Sequence, residues 1–477
     1  MRTPLPRLWD KLFSYYIVIY VKTLFIVESL FNIKILTNVI IMSDEEFAWY
    51  EDPAVEYLYL ASSTKNMRGY HAPIVSPKIT FTGTNSFIDF ANFIGSYFGA
   101  EDKRLLIVVD KELRKKGEDV GTRLAEMKGF QIQIFDNVLP DAPKYTLMEG
   151  VKICEEFQPK AIIAVGGGST IDTAKGVFLL YEKPQVNLNN LMIPTYLGLR
   201  KKINLLIAIP TTSGTGSEAT TTTVITDTDR KPPKKTAVTL YELCPDIAVL
   251  HYDFVKSMPP ELTAGTGMDA LSHALGAYML TMSNIYTDMH NLKATELILE
   301  FLPRSVKRAN DMEAREKMLL AAYIAGVGFS NMVTNFEHGL GHSFGAIFHI
   351  HHGVAVGIFL PAAIAFQAKV SKRFIDIAAL FGVDINEKED DKILRELLEK
   401  ILEFVHSFDF PISVKELKNP ELSYEEYMKE MDQLVKYAYK DVTRLFSTRR
   451  LTLSQVQRLF EVGFENKIED LMDLFYN

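Results

Sequence analysis

Three features of the sequence predict an α/β domain followed by an all-α domain. From about residue 73 to 250, short apolar runs alternate with segments of helical period, the pattern of a mainly parallel sheet with helices on both faces. After about residue 256 the strand signals stop and helical periods alone remain. Three glycines, Gly166, Gly167 and Gly168, stand between an apolar run and a helical segment, the strand–loop–helix order of a Rossmann-like fold.

The elements follow in order. The first 41 residues are apolar but broken by Lys22, Glu28 and Lys34, and the longest uncharged run, Leu12–Val21, is ten residues. A spanning helix needs roughly 20, and no small-residue cleavage site marks a secretory signal. Residues 1–41 therefore read as an apolar leader outside the working protein, translated upstream sequence with Met42 as the start. A membrane anchor and an interfacial amphipathic helix are the weaker readings. Residues 42–72 read as an N-terminal extension.

The α/β domain is expected over 73–255. RLLIVVD (104–110), QIQIFD (131–136), AIIAV (161–165) and LLIAIP (205–210) read as strands. VGTRLAEMKGF (120–130) and LMEGVKICEEF (147–157) read as helices, and the Thr-rich 219–226 as a β-hairpin. The all-helical domain is expected over 256–477. Its helical periods are clearest in LSHALGAYML (271–280), ATELILEFLPRSV (294–306), REKMLLAAYIAGVGF (315–329) and DKILRELLEKILEFV (391–405). Ser423 with Glu426, and Thr452 with Gln455, form capping-box patterns that open further helices.

Composition narrows the function. The chain of 477 residues is 47% hydrophobic and 23% charged, as in an ordinary globular protein. A formal charge of −8 argues against a nucleic-acid binder, which needs a basic face. The two cysteines, Cys154 and Cys244, cannot form a disulfide framework, and a reducing compartment fits them.

Four groups of residues carry chemistry. The glycine loop brings backbone N–H groups close to a ligand at a helix N-terminus, where anions are favoured. It reads equally as a plain βα turn in which Ser169 caps the helix and Asp172 completes the pair. A second loop, IPTTSGTGSEATTTTVITD (209–227), follows the 205–210 strand and offers Thr211, Thr212, Ser213, Thr215 and Ser217 to a nucleotide. Asp110 ends a strand, where a carboxylate can accept from both ribose hydroxyls and repel a 2′-phosphate. The alternative for it is a helix N-cap. Finally, Asp269/His273 and His338/His342 are i,i+4 pairs, and His349, His351 and His352 follow closely. Carboxylate plus imidazole suits divalent iron or zinc, and two such pairs on neighbouring helices could enclose one ion with an open position. A face of satisfied core histidines is the alternative.

The motifs GGGSTIDTAK, IPTTSGTGSEAT, SMPPELTAGTGMDALSHA and HGLGHSFGAIFHIHHG, in this order and spacing, resemble those of the iron-dependent (group III) alcohol dehydrogenases. The likeness covers about 75–470. It implies a dehydroquinate synthase-like fold, with a nucleotide-binding α/β domain, a helical metal-binding domain and the active site in the cleft between. It implies that Asp269, His273, His338 and His352 hold a divalent metal, iron(II) before zinc. His342 lies near nicotinamide and metal without ligating. Gly167, Gly168, Ser169 and Asp172 belong to the pyrophosphate loop and helix, Thr211 and Thr212 to the second cofactor loop. Asp110 selects NAD, and Lys235 reaches the cofactor, although the KPPKK insertion blurs its register.

The implied activity is hydride transfer between a primary alcohol or aldehyde and NAD, in a cytoplasmic homo-oligomer, a dimer, with no membrane or nucleic-acid partner. The metal would lower the pKa of the alcohol hydroxyl, and His342 would pass the proton to solvent. His351 stands where the family has proline, His349 is an extra imidazole, and His251 replaces an Asp at the domain junction. The alternatives are a hydroxyacid–oxoacid transhydrogenase and a glycerol-type polyol dehydrogenase, against which Gly216 stands where an acid is expected. A dehydroquinate synthase would need a Lys/Arg phosphate cluster that is not evident. A metal-free binding relative is opposed by the intact Asp/His set. Phe329, Phe336, Phe344 and Phe348 suggest an apolar pocket wall or, for most of them, helix-core packing.

Overall fold

Strands buried on both faces must be apolar at every position, and the centre of the sheet is built of such strands. The computed structural model describes residues 74–477 apart from 141, 189–190, 192–194 and 230–233. The leader and the extension expected over 1–72 thus lie wholly outside the described residues. The described strands are β1 (Ile79–Thr82), β2 (Arg104–Val109), β3 (Gln131–Phe135), β4 (Ala161–Gly166), β5 (Leu205–Pro210), β6 (Thr222–Asp227), β7 (Lys234–Thr239) and β8 (Ile247–Leu250). Six of them form one parallel sheet in the order β1-β8-β5-β4-β2-β3.

Alternate side chains enter two different cores. Leu106, Val108, Ile162, Ala164 and Leu206 join one cluster, whereas Leu105, Ile107, Val109, Ile163, Val165 and Ile207 join the other. Helices α1 (Ser86–Tyr97), α2 (Arg114–Lys128), α3 (Lys144–Phe157) and α4 (Gly168–Glu182) run between the strands. From β2 the chain steps outward to β3, then returns past β2 to β4 and continues to β5. Strand order reverses between β2 and β4, and the crevice beyond their C-terminal ends is where such sheets bind ligands.

The second part is helical throughout its described residues. It opens with the short α5 (Tyr252–Val255) and then α6 (Pro260–Met279), with proline at the first helical position, where its missing N–H costs nothing. Then come α7 (Ile285–Lys307), α8 (Met312–Ser330), α9 (Phe336–Phe348) and α10 (His352–Ala368), with further helices up to Tyr476. Helix α6 is buried on nearly all sides and is the axis around which the others pack. The capping boxes at Ser423/Glu426 and Thr452/Gln455 are formed. No helix among the described residues is long and apolar enough to cross a membrane.

Several local expectations are corrected. Helix α2 begins at Arg114, ahead of residue 120, because its polar first turn carries no apolar period. The Thr-rich hairpin does form, β6 pairing antiparallel with β7, but it starts at Thr222, after a 3₁₀ turn at Ser217–Ala219. Gly167 takes the N-cap position of α4 with no side-chain cap bond, so Ser169 sits exposed inside the first turn and is not a cap. Asp172 completes no capping pair, because its carboxylate accepts from the Val224 N–H at 3.2 Å. Asp110 is not an N-cap either. Its Oδ1 accepts from the Leu113 N–H at 2.8 Å in the turn before α2.

Candidate functional site

Two loops meet at the C-terminal ends of the adjacent strands β4 and β5. Gly166 pairs with Pro210, and the Thr211 N–H donates to the Gly166 carbonyl at 3.0 Å. A Cβ on Gly167 would lie 3.1 Å from Thr212 Cγ2, and one on Gly168 would lie 3.0 Å from Thr215 Cγ2. Glycines there let the threonine loop lie directly against the start of α4. Ser169 is exposed beside it, and the buried Thr211 Oγ1 has no hydrogen-bond partner in the structure. Asp110 follows β2 on the other side of the strand-order reversal. Leu113 occupies one of its carboxylate oxygens.

The same loop joins the two parts of the fold. A Cβ on Gly214 would lie 2.5 Å from the Thr266 carbonyl oxygen of α6, and one on Gly216, whose φ is +61°, would lie 2.7 Å from Gly326 Cα of α8. The loop therefore touches the backbones of both helices. Lys175 reinforces it from α4. Its fully buried ammonium donates to the Thr220 carbonyl and hydroxyl, both at 2.9 Å, and to the Thr222 carbonyl at 2.8 Å.

Below this loop lies a cluster of polar side chains inside the helical part. Asp269 and His273 project from one side of α6, and His338 from the first turn of α9. One ligand atom from each can be chosen so that all three lie within 4.8 Å of one another. Helix α9 ends at Phe348, His349 turns the chain at φ +56°, and α10 begins with His352. That turn returns the His352 ring to the cluster, with Nε2 3.3 Å from Asp269 Oδ1. The corresponding Nε2 distances are 3.8 Å for His273 and 3.7 Å for His338. All three imidazoles converge on one carboxylate oxygen.

The atoms at the centre lack partners. Asp269 Oδ1 and His338 Nε2, which face each other at 3.7 Å, are buried without hydrogen bonds. Leaving such groups unpaired costs about 1–3 kcal/mol each, whereas one cation would satisfy donors of this kind together. Burial pushes the Asp269 carboxyl up, but the facing imidazoles outweigh it and hold it well below the usual carboxylate range. Burial pushes His273 down to about 3, despite Asp269 beside it. Burial also lowers His338, but Asp269 and Glu337 more than reverse this and bring it up to about 9. His352 is 43% exposed and lies on the open side of the cluster.

The surrounding residues sort themselves by contact. Glu337, fully buried, accepts from His338 Nδ1 at 3.1 Å and so turns the ring's other nitrogen toward Asp269. Its carboxylate lies against α6 at Gly276, where a Cβ would be 2.2 Å from Oε1. His342 stacks on His352 with centroids 5.3 Å apart and bonds Asp441 through Nδ1. His351 sits at the N-cap of α10 with its ring against Gly265. Phe329 stacks on His273 at 4.0 Å, whereas Phe336 and Phe344 are core residues. His251 caps α5: its Nδ1 accepts from the Asp253 N–H at 3.2 Å, and its Nε2 donates to the Thr84 carbonyl at 3.0 Å. The Lys235 side chain lies outside the described residues.

Glu337 and Asp441 were not anticipated. An acid directly preceding the histidine of HGLGH was the only sequence signal for the first.

Comparison with known proteins gives family and structural matches over nearly all of the described residues. Residues 77–252 match the family described as iron-containing alcohol dehydrogenase, and residues 263–464 match the Fe-containing alcohol dehydrogenase family, C-terminal. The chain is 34% identical over 389 residues to an NADPH-dependent butanol dehydrogenase of Clostridium saccharobutylicum, covering 81% of this chain and 96% of that one. It is 32% identical over 396 residues to an NAD-dependent methanol dehydrogenase of Bacillus methanolicus, covering 79% and 99%. Among solved structures, a 1,3-propanediol oxidoreductase superposes with a TM-score of 0.75 at 26% identity, covering 83% of this chain and all of that one.

Proposed function

The chain belongs to the iron-containing alcohol dehydrogenase family and is an oxidoreductase acting on alcohols, and from that premise we propose that it interconverts a primary alcohol and its aldehyde with NAD, using a divalent metal held by Asp269, His273, His338 and His352. The observation that carries this reading is the convergence of the His273, His338 and His352 imidazoles on Asp269 Oδ1, where that oxygen and the facing His338 Nε2 are buried without partners. Iron(II) is the metal we assign, and zinc fits the same donors. A purified sample stripped of metal, reloaded with iron(II) or zinc and followed at the NADH absorbance band with a panel of primary alcohols and aldehydes tests it. No NADH signal with any of them in either form would overturn it.

When bound, the metal supplies Lewis acidity at the substrate oxygen and NAD supplies the hydride acceptor. The chain's own part is placement. Glu337 orients His338, Phe329 packs the His273 ring, and the touching backbones at Gly214 and Gly216 fix the distance from cofactor loop to cluster. Gly167, Gly168 and Ser169 offer backbone and hydroxyl donors to the pyrophosphate at the start of α4, with Asp172 behind them tying that helix to β6. Thr211 and Thr212 line the second loop, and Lys235 is the lysine we assign to the cofactor. His342, half-exposed beside His352, receives the alcohol proton and passes it to solvent. Two buried free cysteines fit the cytoplasm, and a homo-oligomer, a dimer, is the assembly we assign.

Two expected results separate these roles. Asp110→Asn keeps the acceptor for Leu113 but removes the charge facing a 2′-phosphate. The NADP-to-NAD ratio of kcat/KM should rise at least about tenfold, the scale of one removed like-charge contact. An unchanged ratio would make Asp110 a turn residue only. His342→Ala should keep its metal and lose part of its rate, whereas His351→Ala should lose neither, because its ring packs on Gly265. Metal analysis of the two purified variants checks this, and metal loss in His351→Ala would move that residue into the ligand set.

A further inference from the structure

We propose that Asp441 is a positioning residue whose carboxylate fixes His342 as the Nδ1–H tautomer, so that Nε2 carries the lone pair offered to the substrate proton. This rests on the reading of His342 as the proton-transfer group. His342 Nδ1 lies 2.9 Å from Asp441 Oδ2, and an ionised carboxylate can only accept, so Nδ1 must carry the hydrogen.

The carboxylate cannot turn away. Its other oxygen accepts from the Thr443 N–H at 2.9 Å and the Thr443 hydroxyl at 2.7 Å, capping the 3₁₀ helix Val442–Phe446. That turn lies against two of the three helices that carry the cluster, α6 and α9. Phe446 accepts from the Thr281 N–H at 3.3 Å and hydroxyl at 3.2 Å, just past the end of α6. On α9, Gly339 provides the space, because a Cβ there would lie 2.6 Å from Thr443 Oγ1 and 3.1 Å from Asp441 Cβ. A side chain at Gly339 would push the acid away from the ring one turn further on. The imidazole is therefore held at one nitrogen by Asp441 and across one face by His352. Nothing else in the turn explains why the cap must be charged, since Ser or Asn caps as well as Asp.

Asp441→Asn gives the sharpest test. Its side-chain oxygen can keep both Thr443 bonds, which places the amide NH₂ against His342 Nδ1. The ring must then accept at Nδ1 and carry its hydrogen on Nε2, the wrong tautomer for taking a proton. The kcat should fall about 10- to 100-fold, and no further than in His342→Ala, with metal content and NAD affinity unchanged. Asp441→Ser retains a cap but does not reach the ring, and it should lose less than Asp441→Asn. In the His342→Ala background, Asp441→Asn should cost nothing more. Additive losses, or equal losses in the Asn and Ser variants, would overturn the proposal by making Asp441 merely structural. A full rate in Asp441→Asn beside a slow His342→Ala would overturn it too and leave the role of His342 standing. A full rate in His342→Ala would remove the reading on which both rest.

Discussion

Asp269→Asn should give a folded protein that retains no metal and turns over no alcohol. Each of the three surrounding imidazoles is measured against the same atom, Asp269 Oδ1, at 3.3, 3.7 and 3.8 Å. It is the one hard anionic donor in the group and the only one that brings a compensating negative charge to a buried divalent ion. An amide offers a neutral oxygen of similar shape. Volume and helix packing are thus preserved while the charge is lost, and α6 should fold as before. Retention should fall by well over about 100-fold, because even an outer partner of a metal ligand costs 10–100-fold. Thermal unfolding gives a readout independent of turnover. Added metal should raise the Tm of the parent protein, by linkage worth about 2.7 kcal/mol at a hundredfold excess over Kd, and leave the variant's Tm where it is. Stoichiometric metal in the purified variant would remove Asp269 from the ligand set.

Much of this arrangement was readable before any coordinates. Strands such as RLLIVVD, AIIAV and LLIAIP announce themselves because burial on both faces leaves no polar position to blur the run. The pairs Asp269/His273 and His338/His342 are visible because i,i+4 is a fixed neighbour relation on a helix. What was illegible has equally physical reasons. Strand β1 is four residues at a sheet edge, three half-buried and one exposed, too short for a period. The start of α2 reads RKKGED and has no apolar stripe to follow. Glu337 directly precedes His338, and consecutive helical residues do not ordinarily face one another. Their bond depends on the buried pocket beside Gly276, a property of the α6–α9 packing. Asp441 is 99 positions from its partner and lies outside every motif, so only folding brings it to His342.

Gly353→Ala should destroy metal binding without touching a ligand atom. A Cβ at Gly353 would stand 2.0 Å from the Gly265 carbonyl oxygen, 2.6 Å from its carbon and 3.3 Å from Asp269 Cβ. The first two are backbone atoms of a helix buried on nearly all sides, which cannot swing aside as a flexible side chain would. Helices α6 and α10 therefore cross backbone to backbone, and His352 sits one residue before the crossing. Intrinsic propensity favours alanine over glycine in a helix by about 1 kcal/mol, so the glycine works against propensity and its justification is the close approach. Moving the oxygen from 2.0 Å to the 3.4 Å of ordinary contact requires the helix ends to part by over an ångström. His352 must move with α10 while Asp269 stays on α6, and a displacement of about 1 Å can cost roughly 10²-fold in rate. The strain should also lower stability by about 1–3 kcal/mol, the usual cost of overpacking. Gly357→Ala, one turn along the same helix, is the control. Its Cβ would meet only side-chain atoms, at 3.2 Å from Phe410 and 3.4 Å from Met268, and it should keep its metal and its rate. Metal content and unfolding midpoints of the two variants decide the matter. If Gly353→Ala binds metal as tightly as the parent protein, the α6–α10 crossing is not what brings His352 to Asp269.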